Sequence, residues 1–517
     1  MIAKRRTERQ ATSPPSLCGF LAAPGDTGRN ALCAIDPQAD RWMTLGDLQH
    51  GVRGVARYLQ DQNLSAGDRV AVIADNSPEY LTICLGAAWA GMVAVPINHR
   101  LPASTIKEVL TDAGCSYQFA DRQRFRDSFV SPSRLRTCVI EDAGPLGLAR
   151  AKETGLTRPA LPVADEAFVL YTSGSSGLPK GVPLSHTGFA WAISKYASLR
   201  TLVEDETVVI AAPLFHMNAL FSSLLMLQLG ARVAFLPRFE AQSYIQAVSK
   251  HRCPMLTVIP TMIALMAKET KLLAACDLSS VKVLLTGSAP LSEKTLDIAK
   301  LIFPCAQIMN TWGTTESGPA CFGAHPSGLP RPALSVGYPI PDVGVRLAGG
   351  GSSDEGVLHV RTPAVMRGYL NRPTETASKL KDGWYDTGDI MRRDADGFYY
   401  FVGRADDMFV CAGENIYPSE VEQRIEAHPE VAQAAVVPVP DDIKGAVPVA
   451  FVVPKPDASL SEDIIRNFAL KNGPAYAHPR RVFLVRELPL AGTNKIDRKA
   501  LVLMAGADAR TKQRMGE

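Results

Sequence analysis

The sequence predicts an α/β protein with a large N-terminal domain and a small C-terminal α+β domain. Three observations support this. The 517-residue chain is too long for one compact core, so two or more domains are expected. From about residue 20 to 400, short β-branched runs alternate with helical segments, which is typical of βαβ units with a parallel sheet. Near residue 400 the pattern changes to short strands around a charged turn, so we place the domain boundary there.

The first βαβ unit is predicted between residues 68 and 98. The run DRVAVIAD (68–75) predicts a strand, and VAVPIN (93–98) predicts a second one. Between them, Asn76 or Ser77 can cap a mostly apolar helix that has Pro78 at its first position. Further strands of the same kind are predicted at ARVAFLP (231–237), MLTVIP (255–260) and VKVLLTG (281–287).

The C-terminal pattern begins with DGFYYFVGRADDMFV, which predicts two strands around a charged turn at 403–407. An amphipathic helix, PSEVEQRIEAHP, and two apolar strands, AQAAVVPV and VPVAFVVP, follow. These elements suffice for an α+β domain of roughly 110 residues, a normal domain size. We therefore predict an N-terminal domain at 1–403 and a C-terminal domain at 404–517.

Composition narrows the class of protein. Hydrophobic residues make up 46% and charged residues 21%, values typical of soluble globular proteins. The net charge of +3 gives no electrostatic case for nucleic-acid or membrane binding. The basic start MIAKRRTERQ lacks a following apolar segment, and the longest apolar stretch (81–97) is short of the ~20 residues of a membrane span. We expect a cytoplasmic protein without a nucleic-acid partner or stable membrane insertion.

A loop rich in glycine and serine, YTSGSSGLPKGVPLSH (171–186), has the composition of a phosphate-binding loop. Its donors are the hydroxyls of Thr172, Ser173, Ser175 and Ser176, the amides of Gly174 and Gly177, and the ammonium of Lys180. Apolar segments on both sides predict two strands, so no helix dipole would contribute to phosphate binding. The alternative is an ordinary Gly/Ser hairpin.

Four further motifs follow in order: NTWGTTE (310–316), GWYDTGD (383–389), GRADD with AGENIYPSEVE (403–407 and 412–422), and GTNKIDR (492–498). With the loop, they resemble the signatures of the adenylate-forming superfamily of acyl-CoA and aryl-CoA ligases, luciferases and peptide-synthetase adenylation domains. The motifs are most similar to those of bacterial acid–CoA ligases. The resemblance covers about residues 20 to 503. It implies layered α/β subdomains with parallel or mixed sheets in the large domain, and a C-terminal domain that acts as a mobile lid.

The resemblance implies an AMP-forming acid–CoA ligase that uses ATP, Mg²⁺ and coenzyme A, and it allows a homodimer. A carboxylic acid and ATP would give acyl-AMP and pyrophosphate, and CoA would then give the thioester and AMP. One alternative is a stand-alone adenylation enzyme that loads a carrier protein. A second is a non-catalytic nucleotide-binding regulator, which the intact Glu316 and Lys495 argue against. Oxygenation of the adenylate, as in luciferases, is a third.

The nucleotide and metal residues are those that match the family motifs. Glu316 would bind Mg²⁺, because hard cations take carboxylate oxygens. Family precedent puts Thr315 at the α-phosphate, Trp312 against the adenine and Asn310 near its amino group. Asp389 would hold both ribose hydroxyls. The remaining nucleotide contacts are expected from Gly287, Thr311, Gly313, Thr314, Phe401 and Arg404. The alternatives are a core aromatic for Trp312, a turn cap for Asp389 and a solvated turn arginine for Arg404.

The two half-reactions need different residues at one site. Lys495 would reach the carboxylate and α-phosphate oxygens during adenylation, with Asn494 where the family usually has glycine. The family solution is a rotation of the small domain about a hinge, here Asp406, which brings Gly413 to the pantetheine arm. Otherwise Gly413 is a turn glycine. Arg100 and Arg480 stand where similar ligases hold the CoA 3′-phosphate, although single surface arginines are usually solvated.

The acyl pocket is expected around PLFHMNALF (213–221), with His216 as a gate near the carboxylate. Its other lining residues by family pattern are Lys195, Asn218, Thr286, Gly287, Thr311, Gly313, Gly318 and Pro319. The polar Lys195, His216 and Asn218 would suit an acid with a polar or second acidic end. The alternative for Lys195 is a helix position that faces solvent. The sequence does not name the acid.

Overall fold

Sixteen α-helices and twenty-five strands form the described part of the protein. The structure, a computed structural model, describes residues 17–22, 28–35, 40–126, 135–143, 165–172, 179–441, 443–490 and 496–514. The helices α1 to α16 are Leu45–Asp61, Pro78–Trp89, Ala103–Asp112, Arg122–Arg126, Ile140–Ala143, His186–Ser194, Arg200–Val203, Met217–Leu229, Ala241–Lys250, Pro260–Met266, Thr270–Ala275, Glu293–Ile302, Pro373–Lys379, Pro418–Glu426, Glu462–Lys471 and Arg498–Arg514. Short 3₁₀ helices lie at Gly19–Ala22 and Ala197–Leu199.

The strands fall into six sheets. Strands β1 to β13 are Asn30–Ala34, Arg41–Thr44, Arg69–Ile73, Val93–Pro96, Cys115–Ala120, Arg136–Val139, Glu166–Thr172, Lys180–Ser185, Thr207–Ile210, Arg232–Phe235, Met255–Val258, Val283–Thr286 and Gln307–Asn310. Strands β14 to β25 are Phe322–Gly323, Tyr338–Pro339, Gly344–Ser352, Glu355–Arg361, Leu380–Lys381, Trp384–Arg393, Tyr399–Arg404, Phe409–Cys411, Glu414–Ile416, Val431–Asp441, Gly445–Pro454 and Arg481–Leu484.

The largest sheet contains the predicted βαβ unit. Its strand order is β6-β5-β3-β4-β7-β8, and every pair is parallel except β7 with β8. Between β3 and β4, helix α2 begins after Ser77, whose hydroxyl accepts the Tyr80 N–H at 3.1 Å. Pro78 takes the first position, where its missing N–H costs no helical hydrogen bond. The prediction of this unit is confirmed.

Two further sheets confirm the strands expected at 231–237, 255–260 and 281–287, which are β10, β11 and β12. In β2-β1-β10-β9, strands β1, β10 and β9 run parallel, and β11-β12-β13 is parallel throughout. Parallel strands end at one edge of their sheet, and ligands bind beyond that edge in open α/β folds. Strand β13 ends at Asn310 and so delivers the NTWGTTE motif to such an edge.

Sheet membership changes at the position chosen for the domain boundary. Strand β20 ends at Arg404 and pairs with β19 in the sheet β16-β17-β19-β18. The next strand, β21, begins at Phe409 and belongs to the sheet β22-β21-β24-β23, with β25 on β24. Helix α14 covers this last sheet with its buried Val421 and Ile425. The two parts therefore have separate sheets and cores, and Arg404, which we assigned to the C-terminal domain, belongs to the sheet of the N-terminal part. The exact domain boundary stays a prediction.

No helix within the described ranges combines the length and the apolar character needed to cross a membrane.

A glycine sets the distance between helices α1 and α2. A Cβ atom at Gly86 would lie 2.5 Å from the Cβ and Cγ1 atoms of Val55 and 3.0 Å from the Val52 carbonyl oxygen. We expect Gly86→Ala to destabilise the protein by about 1–3 kcal/mol, because the added methyl forces the helices apart. Thermal unfolding would measure this as a lower Tm. The control is Gly19→Ala, where no atom lies within 4 Å of the added Cβ and Tm should not change.

Candidate active site

A cavity of about 1040 Å³ lies between the strand ends of the N-terminal domain and helix α14 of the C-terminal domain. The predicted site residues that line it are Thr172, Lys180, His216, Asn218, Asn310, Thr311, Trp312, Gly313, Thr314, Thr315, Glu316, Pro319, Asp389, Phe401, Arg404 and Asp406. The predicted residues Ser173, Gly174, Ser175, Ser176, Gly177 and Lys495 lie outside the described residues. Motifs that are far apart in sequence thus meet in one place.

The glycine-rich loop joins two strands, as the sequence predicted. Strands β7 and β8 pair antiparallel, with Thr172 opposite Lys180 at the last register position before the loop. The Lys180 ammonium lies 5.2 Å from the ring centre of Tyr369, a cation–π distance. The hairpin therefore holds a hydroxyl and a positive charge beside each other at the cavity wall.

A buried carboxylate organises one end of the cavity. Asp389 is 5% exposed. One of its oxygens accepts the Trp312 indole N–H at 2.7 Å, and the other accepts from the Arg404 guanidinium at 2.6 Å. Each carboxylate oxygen has more than one acceptor position, so Asp389 can also accept from sugar hydroxyls. Nearby, the Asn310 amide donates to the Leu334 carbonyl at 2.7 Å, which leaves its Oδ1 as the acceptor for a ligand.

A second carboxylate, Glu316, lies in the same cavity. Its Oε1 accepts a hydrogen bond from the Tyr369 hydroxyl at 3.0 Å, and Tyr385 lines the same cavity. Burial raises the pKa of both phenols, and the charge of Glu316 raises it further. Both tyrosines therefore stay protonated at neutral pH and act as hydrogen-bond donors.

The carboxylate of Glu316 is a suitable ligand for Mg²⁺. Among the described residues, no group of three or more His, Cys, Asp and Glu side chains comes together as a protein cage for a metal. Mg²⁺ in nucleotide enzymes is usually bound by one or two carboxylates together with the phosphate oxygens of the substrate. The carboxylate of Glu316 lies near the β7–β8 hairpin that we expect to bind phosphate, here called the phosphate hairpin, and this matches that arrangement. Glu316 would hold the ion through an oxygen that faces the cavity.

Three predicted residues lie directly behind the cavity wall. The carbonyl of the buried Thr286 accepts the backbone N–H and the hydroxyl of Thr311, at 2.6 and 3.0 Å. A Cβ atom at Gly287 would lie 2.5 Å from the Thr311 carbonyl oxygen, so glycine is required there for packing. Gly318 packs in the same way against Ala364. These residues support the lining residues Thr311 and Gly313 and are not part of the lining.

The other end of the cavity is apolar with one polar cluster. Asn218 accepts hydrogen bonds through Oδ1 from the Thr257 hydroxyl at 3.0 Å and the Ser222 hydroxyl at 3.3 Å. His216 is the residue directly before helix α8. Its ring packs edge-on against the ring of Phe215, with 4.6 Å between the ring centres. Apolar and aromatic side chains complete this end: Tyr196, Phe215, Met217, Phe221, Leu225, Met226, Met255 and Ile259.

The prediction that Lys195 lines the acyl pocket is wrong. Helix α6 ends at Ser194, and the Lys195 ammonium forms an ion pair with the exposed Asp342 at 2.5 Å. It also lies 5.4 Å from the Trp191 ring centre. The next residue, Tyr196, lines the cavity, and its hydroxyl donates to the Pro319 carbonyl at 3.2 Å. The pocket thus has an aromatic ring where the sequence analysis placed a cation.

The C-terminal domain presents one of its two predicted faces to the cavity. Ile496, Arg498 and Lys499 line the cavity, directly after the motif lysine. Gly413 lies away from the lining, in the turn between β21 and β22, where Ala412 and Gly413 have φ angles of 54° and 87°. Two successive positive φ angles are typical of a type I′ hairpin turn, which explains a glycine here.

Three other predicted residues lie at or near the domain boundary or away from the cavity. Asp406 lines the cavity and approaches the Arg404 guanidinium at 3.6 Å. The predicted CoA-binding Arg100 is exposed and does not line the cavity. The Arg480 guanidinium contacts the ring nitrogens of His478 at 2.8–2.9 Å, also outside the lining. The roles of Arg100 and Arg480 at CoA stay predictions.

Four cavity residues that were not expected from the sequence lie close to the predicted ones. Tyr369 and Tyr385 contact the Glu316 end, and Thr257 and Tyr196 contact the acyl end. Tyr385 belongs to the GWYDTGD motif, so its position gave a signal that was not used. The partner of Tyr369 lies 53 positions earlier in the chain and could not be found from local sequence.

Comparisons with known proteins agree with this geometry. The family model described as AMP-binding enzyme matches residues 22–370, and that of the AMP-binding enzyme C-terminal domain matches residues 420–495. A feruloyl-CoA synthase from Amycolatopsis sp is 33% identical over 88% of this chain and 92% of its own length. The 4-coumarate–CoA ligase 5 of Oryza sativa subsp. japonica is 30% identical over 92% of this chain and 91% of its own length.

Solved structures have the same fold. ATP-bound MatB from Rhodopseudomonas palustris superposes with a TM-score of 0.84 at 25% identity, over 95% of this chain and 99% of that one. The anthranilate CoA ligase AuaEII, in complex with anthranoyl-AMP, superposes with a TM-score of 0.85 at 23% identity, over 95% of this chain and 98% of that one.

The central position of Asp389 can be tested by Asp389→Asn. The amide keeps the shape but places an NH₂ group against either the Trp312 N–H or the Arg404 guanidinium. We expect AMP affinity to fall about ten- to a hundredfold, because a hydrogen bond to a charged group is worth about 1.5–3 kcal/mol. Isothermal titration calorimetry with AMP measures this. Asp354→Asn, at an exposed ion pair with Arg393 on the same sheet, is the control and should bind AMP normally. Unchanged affinity in Asp389→Asn would show that the carboxylate does not hold the nucleotide.

Proposed function

Because the chain belongs to the AMP-binding enzyme family and is an AMP-forming acid–CoA ligase, we propose that the acid it activates is aromatic, of the hydroxycinnamate type. In the first half-reaction the carboxylate attacks the α-phosphorus of ATP, and pyrophosphate leaves. In the second, the thiol of CoA attacks the acyl carbon, and AMP leaves.

The observation that carries the proposed acid class is the composition of the acyl end. Aromatic and aliphatic side chains surround it, and its one polar cluster consists of Asn218, Thr257 and Ser222. Because both hydroxyls donate to Oδ1 of Asn218, the group that remains for a ligand is the Nδ2 donor. A flat ring that carries an oxygen substituent would satisfy this pocket. The named acids of the two relatives, ferulate and 4-coumarate, have that chemistry.

A second acidic end on the substrate is not supported. The only cation that the sequence analysis placed in the acyl pocket was Lys195, and its ammonium is paired with Asp342. A second carboxylate at the acyl end would then be buried among Phe221, Leu225 and Met226 without a positive partner, which is energetically costly. A neutral aromatic substituent carries no such penalty.

The roles of the nucleotide residues follow from their positions. Lys180 and Thr172 would neutralise and orient the departing phosphates, and Thr315 would contact the α-phosphate. Asp389 and Arg404 would hold the ribose, with Trp312 beside the adenine. Mg²⁺, when bound at Glu316, supplies positive charge that offsets the charge spread over the phosphates.

The two half-reactions would use two orientations of the 404–517 domain relative to the 1–403 domain. The segment around Ile496 lines the cavity while the Gly413 turn lies elsewhere, which matches the orientation expected for adenylation. A rotation about Asp406 would exchange the two faces and admit the thiol. In this scheme Lys495 serves only the first half-reaction.

The acid class is tested by pyrophosphate release over a panel of acids, with and without CoA. We expect the highest kcat/KM for ferulate and 4-coumarate, lower values for cinnamate, and little turnover of malonate or octanoate. CoA should be needed for sustained turnover, because without it acyl-AMP stays bound. A preference for malonate or octanoate would contradict the proposal. Asn218→Leu, which keeps the volume and removes the donor, should shift the preference from 4-coumarate towards cinnamate.

The role of Lys495 is tested by separating the half-reactions in Lys495→Ala. We expect adenylation to fall about 10²–10³-fold, the effect of removing one group that stabilises a transition-state charge. Thioester formation from supplied acyl-AMP and CoA should stay near the parent rate. Equal losses in both half-reactions would contradict the two-orientation scheme. Lys471→Ala, at an exposed position on α15, is the control and should change neither rate.

A further inference from the structure

One tyrosine hydroxyl contacts the carboxylate of Glu316. The Tyr369 hydroxyl donates to Glu316 Oε1 at 3.0 Å. A phenol has a single proton to donate. Tyr369 therefore directs that proton to the carboxylate.

The ring of Tyr369 contacts a second element, strand β8 of the phosphate hairpin. Lys180, on β8, places its ammonium 5.2 Å from the ring centre. The Leu370 N–H, next along the chain, donates to the Gly181 carbonyl at 2.8 Å and ties this backbone to the same strand. Tyr369 therefore contacts the phosphate hairpin through its ring and Glu316 through its hydroxyl.

We propose that Tyr369 is a positioning residue that fixes the orientation of the Glu316 carboxylate for Mg²⁺ and aligns it with the phosphate hairpin. The proposal rests on the proposed role of Glu316 as the metal ligand. A carboxylate on a flexible side chain can rotate, and metal binding must then stop that rotation. A donor that holds Oε1 before the metal arrives removes part of this entropic cost and leaves the other oxygen for the ion. Groups that orient metal ligands in this way typically change metal affinity 10–100-fold when removed.

The test measures metal affinity directly. Mn²⁺ would be titrated by electron paramagnetic resonance into the full-length protein saturated with α,β-methylene-ATP. Tyr369→Phe keeps the ring under Lys180 and removes only the hydroxyl, so we expect Mn²⁺ to bind about tenfold or more weakly. The pre-steady-state rate of adenylation at saturating Mg²⁺ should stay within a few-fold of the parent, because excess metal restores the bound state. A large loss of this rate that excess Mg²⁺ does not restore would overturn the positioning role.

A matched control removes a tyrosine hydroxyl from a different hydrogen bond. The control is Tyr58→Phe, which removes one hydroxyl from the Tyr58–Tyr117 pair (2.7 Å) away from the cavity and should leave Mn²⁺ affinity unchanged.

Glu316→Gln separates failure of this inference from failure of the metal assignment. If Glu316→Gln weakens Mn²⁺ binding and Tyr369→Phe does not, Glu316 is the ligand and the positioning role is wrong. If Glu316→Gln binds Mn²⁺ like the parent, the metal assignment itself is wrong and the inference falls with it. Thermal unfolding of each variant without ligands shows that the fold is kept.

Discussion

The Asp389 carboxylate is the constraint on which the cavity depends. A buried ionised carboxylate must be paired and hydrogen-bonded, or the protein pays a large desolvation cost. Here Trp312 and Arg404 supply the partners, and they come from segments 77 residues before and 15 residues after Asp389. Satisfying this one charge therefore brings the loop after β13 against the strands β19 and β20. The same contact places an aromatic ring, a carboxylate and a guanidinium side by side, which a nucleoside can use.

Other residues of the site lie close in sequence to Trp312 and Asp389 or contact their neighbours. The loop that contains Trp312 also carries Glu316, whose Oε1 accepts from the Tyr369 hydroxyl. The Tyr369 ring in turn contacts the Lys180 ammonium on the β7–β8 hairpin. The residues proposed to hold the nucleoside, the metal and the phosphates are thus linked by one short segment and a few side-chain contacts. Two of them, Asp389 and Lys180, lie on strands and not on loops.

Local sequence was sufficient for features that depend on local physics. The Ser77 cap, the proline after it, the β-branched strands and the hairpin around the glycine-rich loop were all predicted, because each depends on a few consecutive residues. The prediction for Lys195 was wrong by one position in the chain. Lys195 pairs with Asp342 outside the cavity lining, whereas the next residue, Tyr196, lines the cavity. The Tyr369–Glu316 bond and the Asn218–Thr257 bond join residues 53 and 39 positions apart, so only the tertiary fold creates them.

The position of Arg404 is compatible both with the nucleotide role and with the domain rotation that we propose. Its Cα is the register partner of Asp389 in the β19–β20 pair, so its guanidinium reaches Asp389 across adjacent strands of one sheet. Asp406 lies two residues later, beyond the last strand residue, and its contact with Arg404 is longer, at 3.6 Å. A rotation that begins at Asp406 can break this second contact at small cost, since an ion pair exposed to solvent contributes about 0–1 kcal/mol. The first contact is built into the sheet and stays in place. The ribose site that we propose lies on the β19–β20 sheet, before Asp406 in the chain. A rotation about Asp406 would leave that sheet in place, so AMP would stay bound while the catalytic face changes.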